Sequence, residues 1–164
     1  MSRRVFFSFH YTGDVCRIGI VRNSWVTKKD RDDAGFWDAA DWETVRKDTD
    51  LAIKRWINAQ LKNTSVTVVL IGTDTSTRDW VNYEIEKSIE KGNGLLGIHI
   101  NNIKGICSST SNKGKNPLDN HQVLCLDGKS YPASKIYKTY DWVSDDGYNN
   151  LKDWIEEAAK IAGK

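Results

Sequence analysis

Few stretches of this 164-residue chain set chemically capable side chains at a working spacing. Trp80-Val-Asn-Tyr-Glu84 is one. On a helix, residues i and i+4 share a face, so the indole and the carboxyl would sit one turn apart on the same side. On that spacing alone Trp80 reads as core and Glu84 as a solvated helix residue, with a functional pair as the alternative. Gly92-Asn-Gly94-Leu-Leu-Gly97 matches a dinucleotide-binding string, G-x-G-x-x-G. That motif works only where a strand precedes it and a helix follows, so that amides at the helix start meet a pyrophosphate. Here a helix precedes and a strand follows, so it reads as a helix stop and turn. Gly128-Lys129-Ser130 ends like a phosphate-binding loop, but the first glycine would fall at Val123 and no helix pattern follows. A phospho-receiver would need an acidic pair after the first strand, where this chain has Phe9-His10-Tyr11. His10, His99 and His121 do not pair with one another or with a cysteine at metal-ligand spacing, so no metal site is expected. No Ser-His-Asp or Cys-His arrangement is legible.

The elements that would position these residues follow from hydrophobic patterning. Arg4 to Phe9 and Val66 to Gly72 are apolar runs of strand length, as is Leu95 to Ile100, with the continuous character of strands buried on both faces. A helix is expected over Val15 to Trp25, after a break at Gly13-Asp14. Thr27 to Trp37 reads as a loop with at most a short strand. From Asp41 a long helical pattern runs to Leu61, with a possible break where Thr49 or Asp50 caps a second helix. Ser76-Thr-Arg-Asp79 has the form of a capping box opening a helix that ends at Gly92. Lys104 to Asn120, rich in Gly, Ser and Asn, reads as a mobile loop with few apolar anchors. Val123 to Leu126 reads as an edge strand or part of an insertion, and Lys135 to Trp142 as the last strand. Leu151, Trp154, Ile155 and Ala158 then recur at i, i+3, i+4, i+7 in a closing helix. Alternating strand and helix predicts a single α/β domain over 1–164, flavodoxin-like, with three layers and a central parallel sheet. In such sheets ligands bind beyond the carboxyl ends of the strands, which directs attention to the residues just after Phe9, Gly72 and Ile100.

Composition narrows the class. Lys+Arg number 24 and Asp+Glu 22, a formal charge of +2 that gives no argument for a nucleic-acid or membrane partner. A hydrophobic share of 39% excludes disorder, and no apolar run approaches the roughly 20 residues needed to span a bilayer. Met1-Ser-Arg-Arg4 leads into the first strand without a signal-peptide core, so the expected location is the cytoplasm. Cys16, Cys107 and Cys125 form no CxxC pair and are expected to be reduced thiols.

A family resemblance gives the Trp80–Glu84 spacing its meaning. Arg4-Val-Phe-Phe-Ser-Phe-His-Tyr11 resembles the opening strand of TIR domains, an apolar strand ending in Ser and an aromatic. Val66 to Ile85 is similar to that family's third strand and the Ser-rich turn that leads into W-x-x-x-E. Trp25-Val-Thr, Gly35-Phe-Trp-Asp-Ala, Asn63-Thr-Ser-Val-Thr, the run from Glu84 to Asn93, and Tyr140 to Asn149 resemble the TIR-like proteins of the bacterial Thoeris anti-phage system. The resemblance is weakest from Lys104 to Lys135.

The resemblance implies a TIR-like fold and an enzyme of the NAD glycohydrolase or ADP-ribosyl cyclase type. NAD is then a substrate and no cofactor is needed. Glu84 takes the position of the catalytic Glu and Trp80 that of its partner, with Ser8 and Phe9 at the strand end facing the pocket. Phe9, Tyr11, Phe36 and Trp37 offer aromatic faces to stack nicotinamide or adenine, against a plain packing role for each. The implied product is a cyclic ADP-ribose isomer made in response to infection, a diffusible signal that activates a separate NAD-degrading effector. TIR–TIR self-association is a further implied contact. The alternative from another class is a non-catalytic adaptor, which has no requirement for a carboxylate at position 84.

Overall fold

The computed structural model describes residues 3–26, 32–34, 48–104 and 109–164, with the side chains of 11, 12, 26 and 32–34 outside that description. Strand β1 (Arg4–Ser8) leads into helix α1 (Tyr11–Val26), short strand β2 (Asp32–Ala34) and helix α2 (Asp50–Leu61). Strand β3 (Val66–Ile71), helix α3 (Asp79–Lys91) and strand β4 (Gly94–His99) follow. Beyond β4 come β5 (Gln122–Leu124), β6 (Ser130–Pro132), the single turn α4 (Ala133–Ile136), β7 (Thr139–Asp141) and α5 (Gly147–Ile161).

Five strands form one sheet in the order β2-β1-β3-β4-β7, with every pairing parallel. The three apolar runs are its centre, as expected: Val5 to Ser8 pair with Val66 to Val69, and Val66 to Ile71 with Gly94 to His99. Every residue of β3 and β4 is buried, because helices cover both faces. On one face Val5 and Phe7 pack with Ile18, Val21 and Trp25 of α1 and with Leu151, Trp154 and Ile155 of α5. On the other, Phe6 packs with Ile53, Ile57 and Leu61 of α2, with Trp80 and Tyr83 of α3 against them. Val81 and Ile85 of α3 extend this layer over Val69, Ile71 and Leu95. Strand alternation puts Ser8 on the side of Phe6, toward α2 and α3.

The helix ends show which local signals held. Ala52 N donates to Thr49 Oγ1 at 3.3 Å, the cap expected for α2; residues 41–47 of the longer pattern lie outside the described residues. Helix α3 stops at Gly92, whose φ of 81° is the left-handed conformation that closes a helix without a Cβ penalty. The capping box at Ser76 to Asp79 does not form. Gly72 N instead donates to Thr75 Oγ1 at 2.8 Å, which draws Thr75–Thr77 into a 3-10 turn, and α3 starts after Arg78 with no side-chain cap.

Other expectations are corrected. Helix α1 runs through Gly13 and Asp14 rather than starting after them, with Asp14 in the first turn where the helix dipole favours an anion. The expected strand over Lys135 to Trp142 shrinks to Thr139–Asp141, because Ala133–Ile136 turns helical. Strand β5 pairs only with β6, antiparallel, so Val123 and Leu124 belong to an inserted ribbon and not to the main sheet. Within 104–120 the described residues are anchored: Leu118 is fully buried, Ser111 N donates to Asn101 O at 2.8 Å, and Thr73 Oγ1 donates to Asn112 O at 2.7 Å. Cys16 is disulfide-bonded rather than a reduced thiol, while Cys125 is free; Cys107 lies outside the described residues.

Candidate active site

Helix α3 lays Val81, Glu84, Ile85 and Ser88 against the sheet, a run spaced i, i+3, i+4, i+7. Glu84 thus occupies a core position and is 6% exposed. It meets Ser8, fully buried at the end of β1, whose Oγ donates to Glu84 Oε2. Burial pushes the Glu84 carboxyl up to about 8, and the Ser8 hydrogen bond pulls the other way. No charged side chain among the described residues contributes to that shift. The acid is therefore mostly protonated at neutral pH, in a low-dielectric setting where an arriving positive charge would ionise it.

Trp80 is half-buried one turn earlier and meets Tyr83 edge to face, with ring centroids 6.0 Å apart and planes at 84°. Phe9 is also half-buried, just past the end of β1, and packs against the opposite core layer. The two aromatics nevertheless line one cleft, with His10, Thr77, Arg78, Asp79 and Val81, of about 310 Å³. Glu84 does not line it; its carboxyl is buried one turn along α3 from Trp80, against Ser8. The structure thus brings Ser8 to Glu84, and Phe9 to Trp80 at the adjoining cleft. The Tyr11 side chain and all of Phe36 and Trp37 lie outside the described residues. A larger cavity of about 830 Å³ lies between the carboxyl end of α3, the ribbon and the end of α5. Among the described residues it shares none with this cleft and Asp127 is the only acid on its wall, so size does not make it the active site.

Three charged or titratable residues near the strand ends were not anticipated. His10 and Arg78 line the cleft, and burial and the Arg78 charge hold the imidazole below its ordinary value. Asp14, 6% exposed, fills the space that a side chain at Gly72 would occupy, with Arg17 Nη1 3.6 Å from its Oδ1. Burial raises the Asp14 pKa, opposed by the Arg17 and His10 charges. The sequence signal for Asp14 is its place in the first turn after β1. Among the described residues no group of His, Cys, Asp and Glu could hold a metal ion, and no helix is long and apolar enough to cross a membrane.

Residues 6–104, from β1 through the end of β4 and so including Ser8, Trp80 and Glu84, match the family described as Thoeris protein ThsB, TIR-like domain. The chain belongs to the ThsB family of TIR-like proteins. It is 43% identical over 191 residues to a protein of Bacillus cereus (strain MSX-D12) named "Putative cyclic ADP-D-ribose synthase ThsB1", covering 94% of this chain and 100% of that one. The ThsB match ends before the ribbon and the last strand and helix, whereas the similarity to the Bacillus protein extends over nearly the whole chain. The parallel sheet with helices on both faces is the fold expected for a ThsB protein.

Proposed function

We propose that this chain is an NAD-consuming enzyme that cleaves the nicotinamide–ribose bond and makes a cyclic ADP-ribose isomer as a signal in anti-phage defence. The observation that carries the reading is the buried Glu84 carboxyl, paired among the described residues only with the Ser8 hydroxyl, on the W-x-x-x-E helix. In this reaction the C1′–N bond breaks with its electron pair returning to the nicotinamide ring nitrogen. The leaving group departs neutral, so no general acid is required. Positive charge moves to the ribose, and an ionised Glu84 stabilises that oxocarbenium-like centre more than it stabilises the ground state. The same positive charge lowers the Glu84 pKa on binding, so substrate supplies the condition for ionising its own catalyst.

Phe9 and Trp80 wall the adjoining cleft and limit water access. With water excluded, a hydroxyl or ring nitrogen of the same molecule forms the new bond to C1′, and a hydroxyl nucleophile passes its proton to the ionised Glu84 carboxylate. With water admitted the product is ADP-ribose. Arg78 at the cleft offers a cation to the NAD diphosphate. Phe36, Trp37 and Tyr11 remain stacking candidates. The product acts in the cytoplasm on a separate NAD-degrading effector, and TIR–TIR self-association brings copies together. The test is incubation of the purified protein with NAD, alone and with phage-infected lysate, followed by mass spectrometry. A cyclic ADP-ribose-type product supports the proposal. Nicotinamide release in neither condition supports an adaptor instead.

A further inference from the structure

Helix α3 meets the sheet through polar side chains as well as apolar ones. Asn93 Nδ2 donates to Thr64 Oγ1 at 2.9 Å and to Thr67 Oγ1 at 3.2 Å. Thr67 Oγ1, on β3, lies 2.7 Å from Ser88 Oγ on α3, and Ser88 Oγ donates to the Glu84 carbonyl at 2.7 Å. All of these side chains are buried, Thr67 and Ser88 completely. The direction of the chain is forced. A carbonyl only accepts, so the single Ser88 proton goes to Glu84 O. Thr67 must then donate to Ser88, and its oxygen accepts from Asn93.

Apolar residues would fill these positions without the desolvation cost of buried hydroxyls. What they would not give is one rotational setting, because apolar contact is non-directional. Glu84 projects from this helix toward Ser8 on a different strand, so the setting matters. Rotating a helix by about 10° moves an atom about 6 Å from its axis by about 1 Å. Misplacement on that scale costs up to about a hundredfold in rate.

We infer that Asn93, Thr67 and Ser88 are positioning residues that lock the rotation of α3 against β3, so that the Glu84 carboxyl meets Ser8. The inference rests on the catalytic reading of Glu84. Thr67 is the point to test, because Val keeps its shape and Ser keeps its hydroxyl. In Thr67→Val, Ser88 still donates to Glu84 O and Asn93 still donates to Thr64, so little is left unpaired and the fold should survive.

The experiment measures NAD turnover against pH for the full chain carrying Thr67→Val, Thr67→Ser or Ser88→Ala, with melting curves alongside. Thr67→Val and Ser88→Ala should lower kcat about tenfold with KM within about twofold. They should also move the ascending limb of the pH profile upward, because a loosened Ser8 contact no longer holds the Glu84 pKa down. Thr67→Ser should keep both the rate and the limb. Wild-type rate and limb in both Thr67→Val and Ser88→Ala would overturn the inference, as would a Thr67→Ser variant slower than Thr67→Val. Glu84→Gln, assayed in parallel, separates the two failures. If it is inactive while Thr67→Val is normal, the relay alone is wrong; if it is fully active, the catalytic reading falls first.

Discussion

Two acids sit at matching places in this fold. Asp14 lies on the helix after β1 and Glu84 on the helix after β3, and each is 6% exposed. Their surroundings differ. Asp14 has Arg17 3.6 Å away and the His10 imidazole as a further charge partner, so burial is opposed from within the protein. Glu84 has one hydroxyl and, among the described residues, no charge partner. The Arg17 cation, one turn along α1, offsets part of the electrostatic cost of burying Asp14. Under the proposed function a cationic substrate brings the counter-charge that Glu84 lacks among the described residues. The two acids match in burial and differ in counter-charge.

Substitution at both positions separates the two roles. Glu84→Gln keeps the side-chain size and removes the charge, and should cost about 3 kcal/mol of transition-state stabilisation, roughly a hundredfold in kcat/KM for NAD, while the melting curve stays cooperative. Asp14→Asn should do the reverse. It leaves Arg17 without its carboxylate in a nearly buried position, and stability should fall by about 2 kcal/mol in denaturant unfolding while turnover per folded molecule changes less than threefold. Equal effects on turnover from both would erase the distinction.

A further effect concerns pH. The folded Glu84 pKa lies above its unfolded value of 4.5, so between 4.5 and about 8 the folded state holds a proton that the unfolded state has lost. This contribution to stability is present in full below 4.5 and is lost as pH rises toward 8, at up to about 1.4 kcal/mol per pH unit. Asp14, also raised, acts in the same direction from its lower reference value of 3.8. Unfolding of wild type measured from pH 4 to 9 should therefore show falling stability, and Glu84→Gln should flatten the upper part of the curve. The rate moves oppositely, with kcat/KM rising toward pH 8 as Glu84 ionises. The smallest effect is expected at exposed Glu86, where Gln should leave stability within about 0.5 kcal/mol and activity near wild type.

The central strands were legible because a parallel sheet covered on both faces needs continuous apolar runs, which Val66 to Ile71 shows plainly. Gly92 and the spacing of Leu151, Trp154, Ile155 and Ala158 were legible for similarly local reasons. Ser76 misled because its capping role depends on a competitor, Thr75, that the Gly72 amide engages first. The ribbon of β5 and β6 was ambiguous because three-residue strands carry too little pattern. At the site, spacing put Trp80 and Glu84 on one face but suggested the wrong inner member. Glu84 is the more buried of the two, because it shares the stripe of Val81, Ile85 and Ser88. That stripe is visible in the sequence once an acid is allowed at a core position, and the family resemblance is what allowed it. Asp14 could not be read as Glu84's counterpart, because its burial against Gly72 is tertiary, although its i, i+3 pairing with Arg17 is local to α1.

The most direct test of the account is titration of Glu84 itself. The carboxyl carbon of Glu84, followed by NMR with Glu84→Gln for assignment, should titrate near 8 in the free protein. With carba-NAD bound, an uncleaved analogue that keeps the cationic nicotinamide ring, the midpoint should fall by at least about one unit. A free-protein midpoint near the ordinary 4.5, or a midpoint that carba-NAD leaves unmoved, would contradict the claim that Glu84, without a counter-charge among the described residues, awaits a positive charge.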